Sequence, residues 1–193
     1  GPADQARGLL FNRKHTLLDP YAKAVTGQRN WGEKPEGGKD FVYKARVVQS
    51  DFDWGRYRNL NYKFEDLVIY EMHVRGFTKD ASSGVKGGGT FEGLRQKIPY
   101  LKDLGINAVE LMPIFEFDEM ESARVVDGVQ LYNYWGYNTV SFFAPNTSYA
   151  FHQEHNHEGD ELKRLIRELK ENGIEVILDV VFNHCLLYTS DAA

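Results

Sequence analysis

Cysteine is nearly absent from this sequence. The 193 residues contain one, Cys185, so no disulfide within the chain can brace the fold. That usage fits a reducing compartment. Basic charge is short as well: 23 Lys and Arg stand against 28 Asp and Glu, a net charge of −5. With no excess to neutralise a phosphate backbone, nucleic acid is not an expected partner. Long apolar runs are missing too. The longest, Val176 to Phe182, is far too short to cross a bilayer and is broken by Asp179, so no membrane partner is expected either. Residues 1–16 hold no apolar stretch of the roughly 7–15 residues that a secretory signal requires. The first residue is Gly, so the native N-terminus is expected to lie upstream.

Aromatic residues are plentiful. They make up 13% of the chain, as 11 Tyr, 12 Phe and 3 Trp, in an otherwise ordinary globular composition of 42% hydrophobic and 26% charged residues. The length allows one domain or slightly more.

Residues 1–60 are rich in Gly, Pro, Asn, Lys and Arg, with one strand-like stretch, Phe41 to Val48. They read as an extended connecting region. From Leu67 the order becomes strand, helix, strand, loop, helix, strand. Leu67 to Phe77 has the β-branched and aromatic content of a strand, and period two puts Glu71, His73 and Arg75 on one face, where a barrel would bury them in a hydrogen-bonded network. Thr90 is placed to cap a helix whose apolar stripe is Phe91, Leu94, Ile98, Leu101 and Leu104, kinked at Pro99 and stopped by Gly105. Ile106 to Pro113 reads as a second strand, followed by a long loop from Ile114 to about Gly159. Leu162, Leu165, Ile166 and Leu169 mark a second amphipathic helix closed by Gly173. The run Glu175 to Phe182 reads as a third strand, apolar enough for burial on both faces. Strands alternating with helices predict right-handed βαβ units and an α/β fold.

In such folds chemistry collects at the C-terminal ends of strands and in the loops after them. Asp179, Asn183 and His184 sit at the end of the third strand; period two puts Asp179 and Asn183 on one face, roughly 13 Å apart. From spacing alone, a hydrogen-bonded structural Asp with a loop-entry Asn-His pair is slightly favoured over a ligand site. Tyr132 to Asn138, with Phe142, Phe143 and Tyr149 beyond, offers flat side chains with polar handles. These suit sugars, which have apolar faces and hydroxyl rims, and they suit an aromatic core beneath a loop just as well. His152, His155 and His157 match no tight metal-ligand spacing. The acidic residues Glu116, Asp118, Glu119 and Glu121 read as a solvated loop.

Four ordered motifs together carry a resemblance: Leu67 to Phe77, Leu104 to Pro113, Tyr134-Trp135-Gly136-Tyr137-Asn138, and Asp179 to His184. They resemble the early barrel of the α-amylase superfamily of glycoside hydrolases, in the isoamylase-type glycogen or starch debranching form. Leu17 to Ala24 resembles the segment that joins the family's N-terminal sandwich to its barrel.

The resemblance implies an incomplete barrel: about three βα units of a TIM (β/α)8 fold, which needs eight strands and typically about 250 residues. By this reading residues 1–60 are a linker following a missing β-sandwich, and 61–184 are the N-terminal portion of the catalytic barrel. Residues 185–193 depart from the family's Thr and Glu-containing continuation and read as a non-native tail. The implied reaction is hydrolysis of α-1,6 linkages with retention, by a carboxylate nucleophile and a carboxylic acid. Both are expected beyond the chain's end, which leaves the chain without a catalytic residue and inactive alone. Tyr137, His184 and Trp135 would bind the sugar, with Asp179 and Asn183 in structural roles at the rim. No cofactor or metal is implied. The implied partner is an α-glucan (glycogen, amylopectin or a limit dextrin), and the implied location is the cytoplasm or a plastid. A non-catalytic glucan-binding module, or a branching or trehalose-forming enzyme of the same superfamily, are the alternatives.

Overall fold

The computed structural model describes residues 17–34, 42–56, 58–152, 154 and 156–186. Phe41, His155 and residues 187–193 of the expected tail lie outside them.

Three short strands form a parallel sheet in the order β1-β2-β7: β1 is Ile69–Met72, β2 Ala108–Leu111 and β7 Glu175–Leu178. Tyr70 pairs with Val109 and Val109 with Val176, while Met72, Leu111 and Leu178 continue the same row. In-register neighbours share a sheet face, so this row turns toward the helices. The other face carries Ile69, Glu71, Glu110 and Ile177. β1 stops at Met72, five residues earlier than the composition suggests. His73 leaves the strand to cap a five-residue helix, α1 (Val74–Thr78), its Nδ1 accepting from the Gly76 amide at 3.1 Å. The expected common face of Glu71, His73 and Arg75 therefore does not exist: Glu71 is exposed on the sheet, His73 is buried and Arg75 lies in α1.

The crossover helix is two helices rather than one kinked rod. α2 (Phe91–Arg95) starts at Thr90, whose hydroxyl accepts from the Gly93 amide at 3.2 Å. α3 (Ile98–Leu104) carries Pro99 in its first turn, where the missing N–H leaves no hydrogen bond unmade, and stops at Gly105 in the left-handed region at φ 84°. Thr90→Ala is expected to lower stability by about 1 kcal/mol in urea denaturation, with Thr90→Ser close to the parent; equal midpoints for all three chains would show that the cap is idle.

The expected long loop is largely structured. β3 (Phe115–Phe117) pairs antiparallel with β6 (Thr139–Pro145), with register shifts around Glu116. β4 (Arg124–Val126) and β5 (Val129–Leu131) form a hairpin around Asp127 and Gly128, both at positive φ. α4 (His157–Glu171) then packs on α2 and β7, and Gly173 turns the chain at φ 78°. The core between sheet and helices contains Phe91, Leu94, Leu101, Leu111, Leu165 and Leu169, all at most 1% exposed. Each such side chain stabilises the fold by about 1.5–3 kcal/mol relative to exposure.

The third strand is shorter and less buried than its apolar run predicts. It ends at Leu178, which is 36% exposed, because β7 lies at the edge of the sheet. Asp179 and Asn183 consequently do not share a strand face. In the region before residue 60, Val25 and Ala45 make an isolated antiparallel bridge in place of the expected strand. Ala22 and Val25 pack with Ala144 of β6 as a satellite cluster, and Trp31 packs against the main core. Cys185 is buried, its thiol donating to the Thr139 carbonyl at 3.1 Å.

Candidate functional site

The segment Tyr132 to Asn138 divides its aromatics between core and surface. Gly136 makes this possible: at φ 78° it reverses the direction of the chain, and it lies so close to Phe117 that an added Cβ would sit 2.5 Å from the ring. Before it, Tyr134 turns inward and stacks on His73 with ring centroids 4.0 Å apart and nearly parallel. Trp31 closes this cluster, edge-on to both rings and stacked on buried Tyr149, while the Arg75 guanidinium lies 4.5 Å from the Trp31 centroid. Because His73 Nδ1 accepts the Gly76 amide, its proton resides on Nε2, which donates to the Tyr134 carbonyl at 2.7 Å. Burial lowers the His73 pKa and keeps the ring neutral. The core reading of the aromatics therefore holds for Tyr134 and Tyr149. Trp135, 55% exposed, and Tyr137 face outward.

Tyr137 meets the end of β7. Its hydroxyl donates to Asp179 Oδ2 at 2.5 Å, and Asp179 is held in turn by its amide, which donates to the Leu111 carbonyl at 3.0 Å. The bond to the carboxylate pushes the Tyr137 phenol up to about 12, with burial and the nearby charges of Glu71 and Glu110 acting the same way. The phenol keeps its proton at any physiological pH and stays locked on Asp179. His184 Nε2 donates to the Tyr137 carbonyl at 2.8 Å, and its Nδ1 lies 2.9 Å from Asn183 Oδ1. Both ring nitrogens are engaged within the protein, so one of these bonds must open before His184 can reach a ligand. Asp179, Tyr137, His184 and Asn183 thus form one connected chain of hydrogen bonds at the end of the parallel sheet.

This chain borders an open cleft of about 800 Å³, lined by Tyr134, Trp135, Tyr137, Asn138 and His184 on one side and by Arg124, Gln130 and Leu131 of the hairpin on the other. The residues expected at a sugar site, Trp135, Tyr137 and His184, come together here. Asp179 supports the floor through Tyr137, and Asn183 is exposed beside His184. Glu121, which lies outside the four motifs, also lines the cleft, accepting from the motif's Asn138 at 2.6 Å. Burial raises the Glu121 pKa against the pull of that bond.

The acidic residues overturn the expectation of a solvated loop. Glu116 and Glu119 are fully buried. Glu116 accepts from the Thr147 amide at 2.7 Å, and Glu119 from the Ser148 hydroxyl at 2.5 Å. Burial raises both carboxyls, Glu119 to about 7 and Glu116 well above the usual range. Asp118 accepts from Gln28, tying the N-terminal segment to this cluster. No spacing in the sequence could announce the arrangement, since the partners come from β6's end, about thirty residues later in the sequence. Of the His stretch, His152 bonds to Glu161 and His157 to Glu154. Among the described residues no group of three or more His, Cys, Asp or Glu converges where a metal ion would sit.

Residues 41–190 match the catalytic-domain profile of alpha amylase. The chain belongs to the alpha-amylase family. Within that family it is 46% identical over 189 residues to isoamylase 3, chloroplastic, of Oryza sativa, covering 95% of this chain and 24% of the relative. It is 37% identical over 203 residues to the glycogen operon protein GlgX homologue of Mycobacterium bovis, covering 95% of this chain and 28% of that protein. Among solved structures it resembles the type I pullulanase of Bacillus subtilis in complex with maltose, with a TM-score of 0.69 and 30% identity, over 89% of this chain and 24% of that one. The chain therefore spans about a quarter of the length of these alpha-amylase relatives. Its parallel β1-β2-β7 sheet and crossover helices are part of the barrel region, and the described residues form no closed barrel. No helix among them is long and apolar enough to cross a membrane.

Proposed function

We propose that the protein to which this chain belongs hydrolyses α-1,6 branch linkages of glycogen, starch or limit dextrins, with retention, and that this chain supplies part of the wall that holds the sugar. The observation that carries the reading is the Tyr137–Asp179 bond beside exposed Trp135 at the end of the parallel sheet. A phenol fixed by a carboxylate presents a flat, protonated ring whose orientation is set before the sugar arrives, so little ordering remains to be done on binding. In this reading Tyr137 stacks under the sugar, Trp135 shapes the rim and His184 supplies a hydrogen bond once released from Tyr137 or Asn183. Asp179 and Asn183 act as positioning residues. The debranching relatives support the substrate class.

The two carboxyl groups of a retaining glycosidase are assigned to later strands of the protein, so this chain alone does not hydrolyse glucan. Residues 1–60 serve as the linker after a sandwich domain, 61–184 as barrel, and 185–193 as a non-native tail. The cytoplasm or a plastid is the compartment this reading supports.

Affinity electrophoresis in glycogen gels tests the site. The chain is expected to be retarded, Tyr137→Ala to lose at least about tenfold in affinity, corresponding to about 1.4 kcal/mol of stacking and contact, and Tyr137→Phe to fall between. Equal mobility with and without glycogen would overturn the assignment. Hydrolysis of glycogen by the purified chain, lost in Tyr137→Ala, would refute its inactivity. Product analysis on the longer protein separates debranching, which releases linear chains, from branching or trehalose-forming chemistry.

A further inference from the structure

β6 carries adjacent aromatics on opposite sides. Phe142 turns to Phe182, with centroids 5.4 Å apart, whereas Phe143 stays 54% exposed and stacks on Tyr21 at 5.7 Å. Beside Phe143 lies a second cleft, of about 370 Å³, which shares no residue with the Tyr137 cleft. Trp54, Phe143 and Ile166 wall it, and Lys23, Asp160 and Lys163 edge it. Its volume is within the range of small-ligand sites.

Trp54 is held in place on a segment clipped to α4. Lys163 Nζ donates to Ser50 Oγ at 2.5 Å, and Arg167 donates to the Asp53 carbonyl at 2.8 Å. Phe52 lies under both cations, at 5.7 and 5.3 Å, and meets Trp54 edge-on at 5.0 Å. The wall is thus aromatic and fixed, and its rim carries both signs of charge. Flat rings bordered by hydrogen-bonding groups match a pyranose, which shows an apolar face and a rim of hydroxyls.

We propose that this second cleft binds a short linear segment of α-1,4-linked glucose, stacked on Trp54 and Phe143. The proposal rests on the reading of the Tyr137 cleft as an α-glucan site. One polysaccharide engaged at both places would be held at a raised effective concentration at each.

The three Trp residues provide the test, since each gives one indole N–H signal in NMR: Trp31 in the core, Trp135 on the first cleft and Trp54 on the second. Trp54→Phe and Trp135→Phe assign them. On titration of the chain with maltoheptaose, Trp54 and Trp135 are expected to shift while Trp31 stays, which also reports an intact fold. Phe143→Ala should weaken the Trp54 response at least about fivefold and spare Trp135; Tyr137→Ala should do the reverse. If Trp135 shifts and Trp54 does not up to about 10 mM ligand, the second site is wrong and the first stands. If only Trp54 shifts, the first reading fails and the second site survives it. If neither moves, both fall. A proline-rich peptide that moves Trp54 where maltoheptaose does not would overturn the proposal and make the cleft a peptide groove.

Discussion

Gly136→Ala is expected to destabilise the chain by about 2–5 kcal/mol, from a backbone cost of about 1–2 and an overpacking cost of about 1–3. Gly136 sits at φ 78°, and a methyl group there would meet Phe117 at 2.5 Å. The Phe117 ring cannot retreat cheaply. It is fully buried, with Trp31 edge-on at 5.9 Å and Tyr149 at 6.1 Å. Gly128, in the hairpin turn, supplies the control: it has the same φ of 78° but nothing within 4 Å of an added Cβ. Gly128→Ala should therefore show the backbone cost alone, about 1–2 kcal/mol. Urea denaturation of the two variants beside the parent separates the terms. Equal losses would mean that the contact with Phe117 is not what fixes glycine at 136. Because Trp135 and Tyr137 flank Gly136, the same variant should also lose glycogen retardation.

The parts of the fold that sequence reveals are those where a local period reports burial directly. The apolar stripes of α2, α3 and α4 and the caps Thr90, Gly105 and Gly173 stand where their spacing puts them, since one face of each helix meets the core, except that Leu104, at the last position of α3, is 49% exposed where the stripe predicted burial. α1 does not announce itself: five residues are too few for a period, and its cap is a histidine, outside the usual Ser, Thr, Asp and Asn. The hairpin does carry a signal, Asp127-Gly128 between two Val-containing runs, which a search for apolar period alone passes over. The end of β7 misleads for another reason. Val180, Val181 and Phe182 are as apolar as the strand before them, but the sheet's edge offers them no further partner, and Phe182 stays 76% exposed. At the site, the motif brings Tyr137, Trp135 and His184 to one cleft. The inward stack of Tyr134 on His73 and the Tyr137–Asp179 bond depend on residues 61 and 42 positions apart, which no local pattern encodes.

Long-range partners also hide an electrostatic effect with a clear pH signature, that of the buried pair Glu116 and Glu119. An acid whose folded pKa lies above its unfolded value contributes stability that is fully present below the unfolded value and is lost as pH rises through the folded one. For Glu119 that window runs from its ordinary 4.5 to about 7, because burial penalises the carboxylate more than the Ser148 and Asn146 hydrogen bonds favour it. Its Oε2 has no hydrogen-bond partner among the described residues, so ionisation leaves charge on an oxygen that nothing solvates. A shift of that size corresponds to about 3 kcal/mol. Glu116 pushes in the same direction and extends the loss to higher pH. Exposed Asp80 and the Arg95-paired Glu92, both lowered, act oppositely and only toward acid; above 4.5 Glu121, raised by burial, adds to the loss, while buried His73, lowered from 6.5, opposes it, and both contributions are common to the parent and the Glu119 variant. The parent chain is therefore expected to lose stability from pH 4 to pH 8. Glu119→Gln, which cannot ionise, should gain about 2–3 kcal/mol relative to the parent across that interval. Any change in hydrogen bonding caused by the amide is the same at every pH and cancels in this comparison. Urea midpoints for both chains at the two pH values decide the matter, and parallel profiles would mean that Glu119 ionises in the folded chain as easily as in the unfolded one. That result would require solvent or a cation to reach the space between β3 and the end of β6, and the burial of Glu119 would then not hold in solution.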